Sequence, residues 1–292
     1  MSLRIAVCVA SVAKSEQLVA GGIGQRAPLE GEFPQTLNPA DANALEAALQ
    51  IRDALQDTQV IILTLGPQAA EEALREAAAL GADRAVRLWD DSLAGSDCLA
   101  TARVLAAAVR RLECDLVLCG AQSVNGMSGS VGPQLAELLG IPAIPSVLGA
   151  EMQDDGSVLC ERRAGGGIRV SESVSLPALC TVEQDANGPR YPTLQSRLRW
   201  RSAPMDCWGL QDLSLRLEEV GRAGSLLEVT ALLPPAPDMR DLVVPPSDLP
   251  AFQRLMIVTS GGVGGRGGSL VEGSPEELAE RVLDHLKSRH LL

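Results

Sequence analysis

The chain has 292 residues, 46% of them hydrophobic and 21% charged, and a net charge of −12. This is the composition of a globular protein long enough for one large domain or two small ones, and its acidity argues against a general binder of nucleic-acid phosphates. Two histidines, His285 and His290, and six aromatics leave no material for a histidine-centred active site, a zinc centre or an aromatic-stacking nucleic-acid module.

Arg4–Ala10 is a continuous apolar run and reads as a buried first strand. Its resemblance to a signal peptide is superficial, because a single basic residue precedes a short run. Asn38-Pro39-Ala40-Asp41 opens a helix in which Ala44, Leu45, Ala48, Leu49, Ile51 and Leu55 recur at helical spacing. Val60–Leu65 is a strand ended by Gly66-Pro67, residues 68–80 a helix closed by Gly81, and Ala85–Trp89 a third strand. An Ala-rich helix over Asp97–Leu112, a strand over Asp115–Cys119 and a helix over Val131–Leu139 follow. Strands alternating with helices of this length predict an α/β protein, a parallel sheet with helices on both faces.

Beyond residue 143 the texture changes. Val158–Arg162, Ile168–Val174 and Ala178–Val182 read as short strands of a small antiparallel addition. Residues 202–250 are rich in proline and read as an extended arm, with a strand-like run at Leu255–Thr259 and a last helix started by Ser274-Pro275-Glu276-Glu277. The expected division is a nucleotide-binding domain over 1–201 and a C-terminal arm over 202–292. No apolar run reaches the roughly 18 residues of a membrane span. The seven cysteines are scattered without a C-x-x-C pair and read as reduced core residues of a cytoplasmic protein.

Chemistry concentrates in the loop Gly120-Ala-Gln-Ser-Val-Asn-Gly-Met-Ser-Gly-Ser-Val-Gly132, between a strand and a helix. Glycines allow close backbone approach, Ser128 and Ser130 supply hydroxyls, and a helix start attracts an anion such as a phosphate. The loop is neither a Walker A nor a dinucleotide fingerprint, and its residues suit an ordinary Gly/Ser connection as well as an anion or nucleotide site. A literal G-x-G-x-x-G at Gly262, Gly264 and Gly267 is rejected, because Ser269–Gly273 separates it from the next helix. Arg190, Arg197, Arg199 and Arg201 around Trp200 form a basic cluster suited to an acidic protein partner or to a solvated edge. No nucleophile–base pair can be assembled. Asp83 and Asp115 read as turn or cap residues.

Several separated segments together resemble the beta subunit of electron transfer flavoproteins. They are Asn38-Pro39 before an Ala/Glu-rich helix, Leu65-Gly66-Pro67, Leu80-Gly-Ala-Asp-Arg84, Asp115-Leu-Val-Leu-Cys-Gly-Ala-Gln122, Gly132-Pro-Gln-Leu-Ala136, Leu139-Gly-Ile-Pro142, Leu176-Pro-Ala178, Asn187-Gly-Pro-Arg-Tyr-Pro-Thr-Leu194 and Val271–Glu277. They fall in family order over nearly the whole chain. The resemblance implies a Rossmann-like fold of the adenine nucleotide alpha hydrolase type and a heterodimer with an alpha subunit that holds most of the redox FAD. It implies a second nucleotide here, AMP, or FAD in the electron-bifurcating members.

Carried over by position, that nucleotide's site comprises Cys8, Asn38, Pro39, Ala40, Asp41, Leu65, Gly120, Ala121, Gln122, Ser123, Val124, Asn125, Gly126, Met127, Ser128, Gly129, Ser130 and Val131. The recognition loop, at about 184–201, supplies Arg190, Tyr191, Leu194, Arg197 and Arg199 for docking a flavin dehydrogenase, with Leu194 in the place of the anchoring leucine. Electrons would leave towards the quinone oxidoreductase of the flavoprotein and the respiratory chain. The arm would pack on the partner subunit. Neither nucleic acid nor membrane insertion nor a bound metal is expected, and the chain itself is not expected to be an enzyme.

The sequence also departs from the family. Asn125–Gly132 replaces an acidic run, Ala40 replaces an aromatic, and Arg162-Arg-Ala-Gly-Gly-Gly167 keeps a basic, Asp-Gly-Gly-centred signature only in part. Two other readings stand beside this one. A universal-stress-type regulator binding ATP would lack a redox partner. An ATP pyrophosphatase would want a Ser-Gly-Gly-x-Asp-Ser-type loop, which residues 10–16 do not supply.

Overall fold

The computed structural model describes residues 3–14, 35–55, 57–228, 230, 249–259 and 273–288. The chain divides into two compact units, Met1–Pro235 and Ala236–Leu292. The first begins with β1 (Leu3–Cys8), β2 (Ser11–Ala13) and β3 (Gln35–Leu37), then α1 (Pro39–Ala54), β4 (Thr58–Leu65), α2 (Glu71–Ala79) and β5 (Arg84–Leu88). It continues through α3 (Cys98–Leu112), β6 (Leu116–Gly120), α4 (Val131–Leu139), β7 (Ala143–Met152), β8 (Ser157–Arg163), β9 (Arg169–Ser175) and β10 (Ala178–Val182). It closes with α5 (Leu194–Ser202), β11 (Asp206–Trp208) and the short α6 (Gly221–Gly224).

Nine strands form one sheet in the order β11-β5-β4-β1-β6-β10-β7-β8-β9, and β2 and β3 form a separate antiparallel pair. Pairing is parallel from β11 to β7, and β8 and β9 add antiparallel at one edge. The apolar runs follow from burial on both faces: Ile5 and Val7 point into a core shared with α1 and α2, while Ala6 and Cys8 point into one shared with α3 and α4. This is the Rossmann-like α/β fold that the alternation of elements predicts. Local signals set the boundaries. Asp97 accepts a bond from the Ala100 amide (2.9 Å) to start α3, and Gly140, at φ 69°, ends α4 in the left-handed region. Asp83 and Asp115 accept the amides of Val60 and Arg4 (both 2.8 Å), fixing the entries of β4 and β1.

Four features of this first unit differ from the sequence-based picture. Ala178–Val182 is not part of an antiparallel addition: β10 lies parallel between β6 and β7, inside the main sheet. β7 was not expected, since Pro145 stands within it. A register shift opposite Cys180–Val182 absorbs the proline, and the Ser146 amide there donates to Thr181 Oγ1 (3.1 Å). The sheet-bearing unit continues past residue 201, where β11 pairs with β5 and carries Trp208, whose ring centre lies 5.3 Å from the Arg84 guanidinium and 4.5 Å from that of Arg111. Cys98 and Cys114 are half-buried and Cys207 is exposed, so only Cys8, Cys119, Cys160 and Cys180 are core cysteines. All seven are free thiols.

The second unit contains α7 (Ala251–Thr259) and α8 (Pro275–Ser288). Leu255–Thr259 is thus helical rather than extended. Short apolar runs do not distinguish the two states, and Phe252, Leu255 and Met256 in fact sit three and four apart. The capping box of α8 forms as its sequence predicts: the Ser274 amide donates to Glu277 Oε2 (3.1 Å) and the Glu277 amide to Ser274 Oγ (3.3 Å). Gly262, Gly264 and Gly267 lie outside the described residues. No helix among the described residues is long and apolar enough to cross a membrane.

Candidate functional site

The chain leaves β1 for β4 and β5 on one side of the sheet, then crosses to β6, β10 and β7 on the other. The order therefore reverses between β1 and β6, and in open α/β sheets the carboxyl ends of strands at such a point form a crevice. A cleft lies there. Its walls are Cys8, Val9 and Ala10 from β1 and its exit, Asp41 from α1, Leu65 from β4, and Thr101 and Leu105 from α3. Cys119 to Ser123 and Ser128 to Gly132 complete it.

Two side chains at the start of α1 build the cleft without opening widely onto it. Asn38 is the N-cap, yet its side chain makes no capping bond to the amides of its helix. It is fully buried and reaches across instead, donating to the Gln122 carbonyl (3.1 Å) and accepting from the Val124 amide (3.2 Å). It thereby substitutes for a strand neighbour and sets the path of the loop. Asp41, also buried, accepts the Ala10 amide on one oxygen (2.7 Å) and the Gly120 amide on the other (2.8 Å). Burial pushes its carboxyl up to about 6, against the lowering effect of these amides and of Asn38.

Two glycines are required by close approach. A Cβ on Gly120 would stand 2.5 Å from Asp41 Oδ1 and 2.7 Å from the Ala40 Cβ, so α1 rests directly on the end of β6. Ala40 faces Gly120, not the cleft. A Cβ on Gly132 would stand 2.6 Å from Thr181 Cγ2, which lets α4 start against the sheet. In its first turn Pro133 has no N–H and the Gln134 amide donates to the Ser130 carbonyl (3.1 Å), so the Val131 and Gly132 amides are the ones without an intrahelical partner, and both residues line the cleft beside Ser128, Gly129 and Ser130. Ser128 and Ser130 hydroxyls lie 3.1 Å apart, with the Cys98 thiol 3.4 Å from Ser128.

The structure thus brings Cys8, Asp41, Leu65, Gly120 to Ser123 and Ser128 to Val131 to one cleft. Asn38 and Ala40 support it from behind, and Pro39 is exposed at the helix start. Val124, Asn125, Gly126 and Met127 form an exposed tip outside the cleft wall, where the Asn125 side chain donates to the Ser11 carbonyl (3.4 Å). Thr101 and Leu105 were missed. They follow the α3 cap by about one and two turns, and only the fold places that helix face beside the loop.

The donor set is that of a binding site. Helix-start amides, two hydroxyls and a glycine at φ 61° (Gly129) suit an anionic group, and Leu65, Leu105 and Val131 supply apolar wall. This fits the phosphate and the flat base of a nucleotide. Burial raises the Cys8 thiol well above its usual range and pushes Cys119 up to about 12, helped by the charge of Asp41, so both are neutral and unreactive. Among the described residues no three His, Cys, Asp or Glu side chains converge for a metal.

The basic segment lies elsewhere, against the outer face of α1 and α2. Asn187 and Asn43 exchange bonds, Asn43 Nδ2 to the Asn187 carbonyl at 2.6 Å and Asn187 Nδ2 to the Asn43 carbonyl at 2.9 Å. Arg190 is held by Glu46 and by Asp53, the latter at 2.9 Å. It therefore anchors the segment and is not a free docking cation. Thr193 caps α5, Trp200 buries into the core, and Arg75 donates to the Trp200 carbonyl (2.6 Å). What remains exposed is Tyr191, Leu194 and Leu198 with Arg197, Arg199 and Arg201, and these three arginines make no salt bridge among the described residues.

Sheet order and the cleft at the switch point define a Rossmann-like α/β protein. Residues 30–206 match the family model "Electron transfer flavoprotein domain". The electron transfer flavoprotein subunit beta of Thermoanaerobacterium thermosaccharolyticum is 32% identical over 89% of this chain and 88% of its own length. The caffeyl-CoA reductase-Etf complex subunit CarD of Acetobacterium woodii is 36% identical over 80% and 89%, and protein FixA of Bradyrhizobium diazoefficiens 35% over 84% and 87%. The chain belongs to the electron transfer flavoprotein beta subunit family.

Proposed function

We propose that this chain is the beta subunit of a heterodimeric electron transfer flavoprotein whose FAD is held mainly by an alpha subunit. The flavin supplies the redox chemistry when bound. This chain catalyses no bond change itself. It holds a second nucleotide, AMP, in the switch-point cleft, shields one side of the flavin, and presents Tyr191, Leu194, Arg197 and Arg199 to a flavin dehydrogenase. Electrons pass on to the quinone oxidoreductase of the flavoprotein in the cytoplasm, and the C-terminal arm packs on the alpha subunit.

The observation that carries this reading is the Gly120–Gly132 cradle, closed by Asn38 and lacking any nucleophile–base pair. Helix-start amides with Ser128 and Ser130 orient the phosphate, and the apolar wall excludes water from the base. A second reading, FAD in this cleft as in bifurcating members, is favoured by the absence of carboxylates from Ser123 to Gly132. Co-expression with an alpha-type subunit, acid extraction and chromatography of the nucleotides test both. One FAD with one AMP supports the first reading, two FAD the second, and a colourless homodimer overturns both.

A further inference from the structure

Among the described residues Asp41 is the single carboxylate in the wall of the cleft, and it sits where the sheet parts. β1 and β6 are paired in register up to Cys8 and Cys119. Just beyond, the chains diverge, and Asp41 bridges the gap: Oδ2 takes the amide of Ala10, Oδ1 that of Gly120. Both amides belong to residues that line the cleft. The bridge needs acceptors on both oxygens, which only the carboxylate anion offers in full.

We propose that Asp41 is the positioning residue of this cleft: its anion holds the ends of β1 and β6 at the spacing a bound nucleotide needs, and a proton on it releases that nucleotide. The inference rests on the reading of the cleft as a nucleotide site. A proton taken from solvent turns one oxygen into an O–H donor. The amide facing that oxygen then loses its partner, and one strand end is freed. The groove between the two ends widens, and the loop that starts at Gly120 moves with it.

The titratable groups that face Asp41 are the thiols of Cys8 on β1 and Cys119 on β6, both kept neutral by burial. No lysine or arginine among the described residues pairs with it. Its own proton affinity, raised by burial to about 6, puts the switch near neutral pH.

Equilibrium dialysis of the co-expressed heterodimer against AMP at pH 8, 7, 6 and 5, with FAD measured in the same samples, tests this. One group titrating at about 6 weakens AMP binding about tenfold from pH 7 to pH 5. Asp41→Asn, which offers one acceptor and one donor, is expected to bind AMP at pH 8 as weakly as the wild type does at pH 5, with a flat profile and an unreduced thermal midpoint. A merely structural role would lower that midpoint instead. AMP affinity that is constant, or that rises in acid because a negative charge is removed, overturns the proposal, and the wild-type profile decides this even where the variant fails to assemble. Failure of AMP to bind at pH 8 with one FAD per heterodimer overturns the AMP reading of the cleft instead. The exchange rates of the Ala10 and Gly120 amides at pH 8 and 5 then decide the clamp: faster intrinsic opening at pH 5 supports it, and equal opening overturns it.

Discussion

Arg190 holds Glu46 across 144 residues of sequence, its Nε 2.8 Å and its Nη2 3.0 Å from the two carboxylate oxygens, with its own amide on the same group. Glu46 is 7% exposed, so this pair joins the segment that carries Tyr191 and Leu194 to a buried position on α1. Removing the guanidinium leaves a desolvated carboxylate unpaired. Arg190→Ala is expected to lower stability by about 3 kcal/mol in urea denaturation. Arg190→Lys recovers only part of it, because an ammonium cannot grip both oxygens.

Leu194, 74% exposed at the start of α5, contributes little to this fold. Leu194→Ala should therefore leave stability and nucleotide content unchanged. It should slow electron delivery from the cognate dehydrogenase by about tenfold or more. An unchanged rate in stopped-flow flavin reduction counts against a docking role. Charge reversal at Arg199 should slow the same step at low salt and matter less at high salt.

Gly120 and Gly126 provide a matched pair. A methyl group at Gly120 meets Asp41 and the backbone of Ala40 (2.8 Å), whereas none meets any atom within 4 Å at Gly126. Gly120→Ala is expected to cost about 3 kcal/mol and to empty the cleft, while Gly126→Ala stays within about 0.5 kcal/mol of the wild type. Thermal unfolding and nucleotide content of the two variants check this.

The raised carboxyl of Asp41 has a definite sign in stability. Between the ordinary value of 3.8 and about 6 the folded chain binds a proton that the unfolded chain does not. The stabilisation is full below pH 3.8 and is lost as pH rises through 6, at a cost of roughly 3 kcal/mol at pH 7. Asp41→Asn should therefore raise the urea midpoint at pH 7 and lose this advantage by pH 4. A lower midpoint at pH 7 contradicts the assignment.

The switch-point half of the molecule was legible because its determinants are local. Asn38-Pro39 announces a helix, Gly120 and Gly140 end elements, and the runs at Ile5 and Leu116 are apolar on both faces. Pro145 hid β7, since the bulge that accommodates it depends on Thr181, far along the chain. β11 is too short to show a period, and its place at the edge is fixed by Arg84, Arg111 and Asp206. The cleft was legible as a loop but not as a wall: Thr101 and Leu105 come from α3, and no local pattern turns that helix towards residue 128. Arg190 misled for the same reason, because its partner lies on α1.

The nucleotide stoichiometry of the co-expressed complex tests the central claim most directly. A yellow heterodimer that releases one FAD and one further adenine nucleotide, the latter lost selectively on Gly120→Ala, is the predicted result. A colourless chain that purifies as a homodimer, or a complex whose nucleotides are unaffected by that substitution, would contradict it.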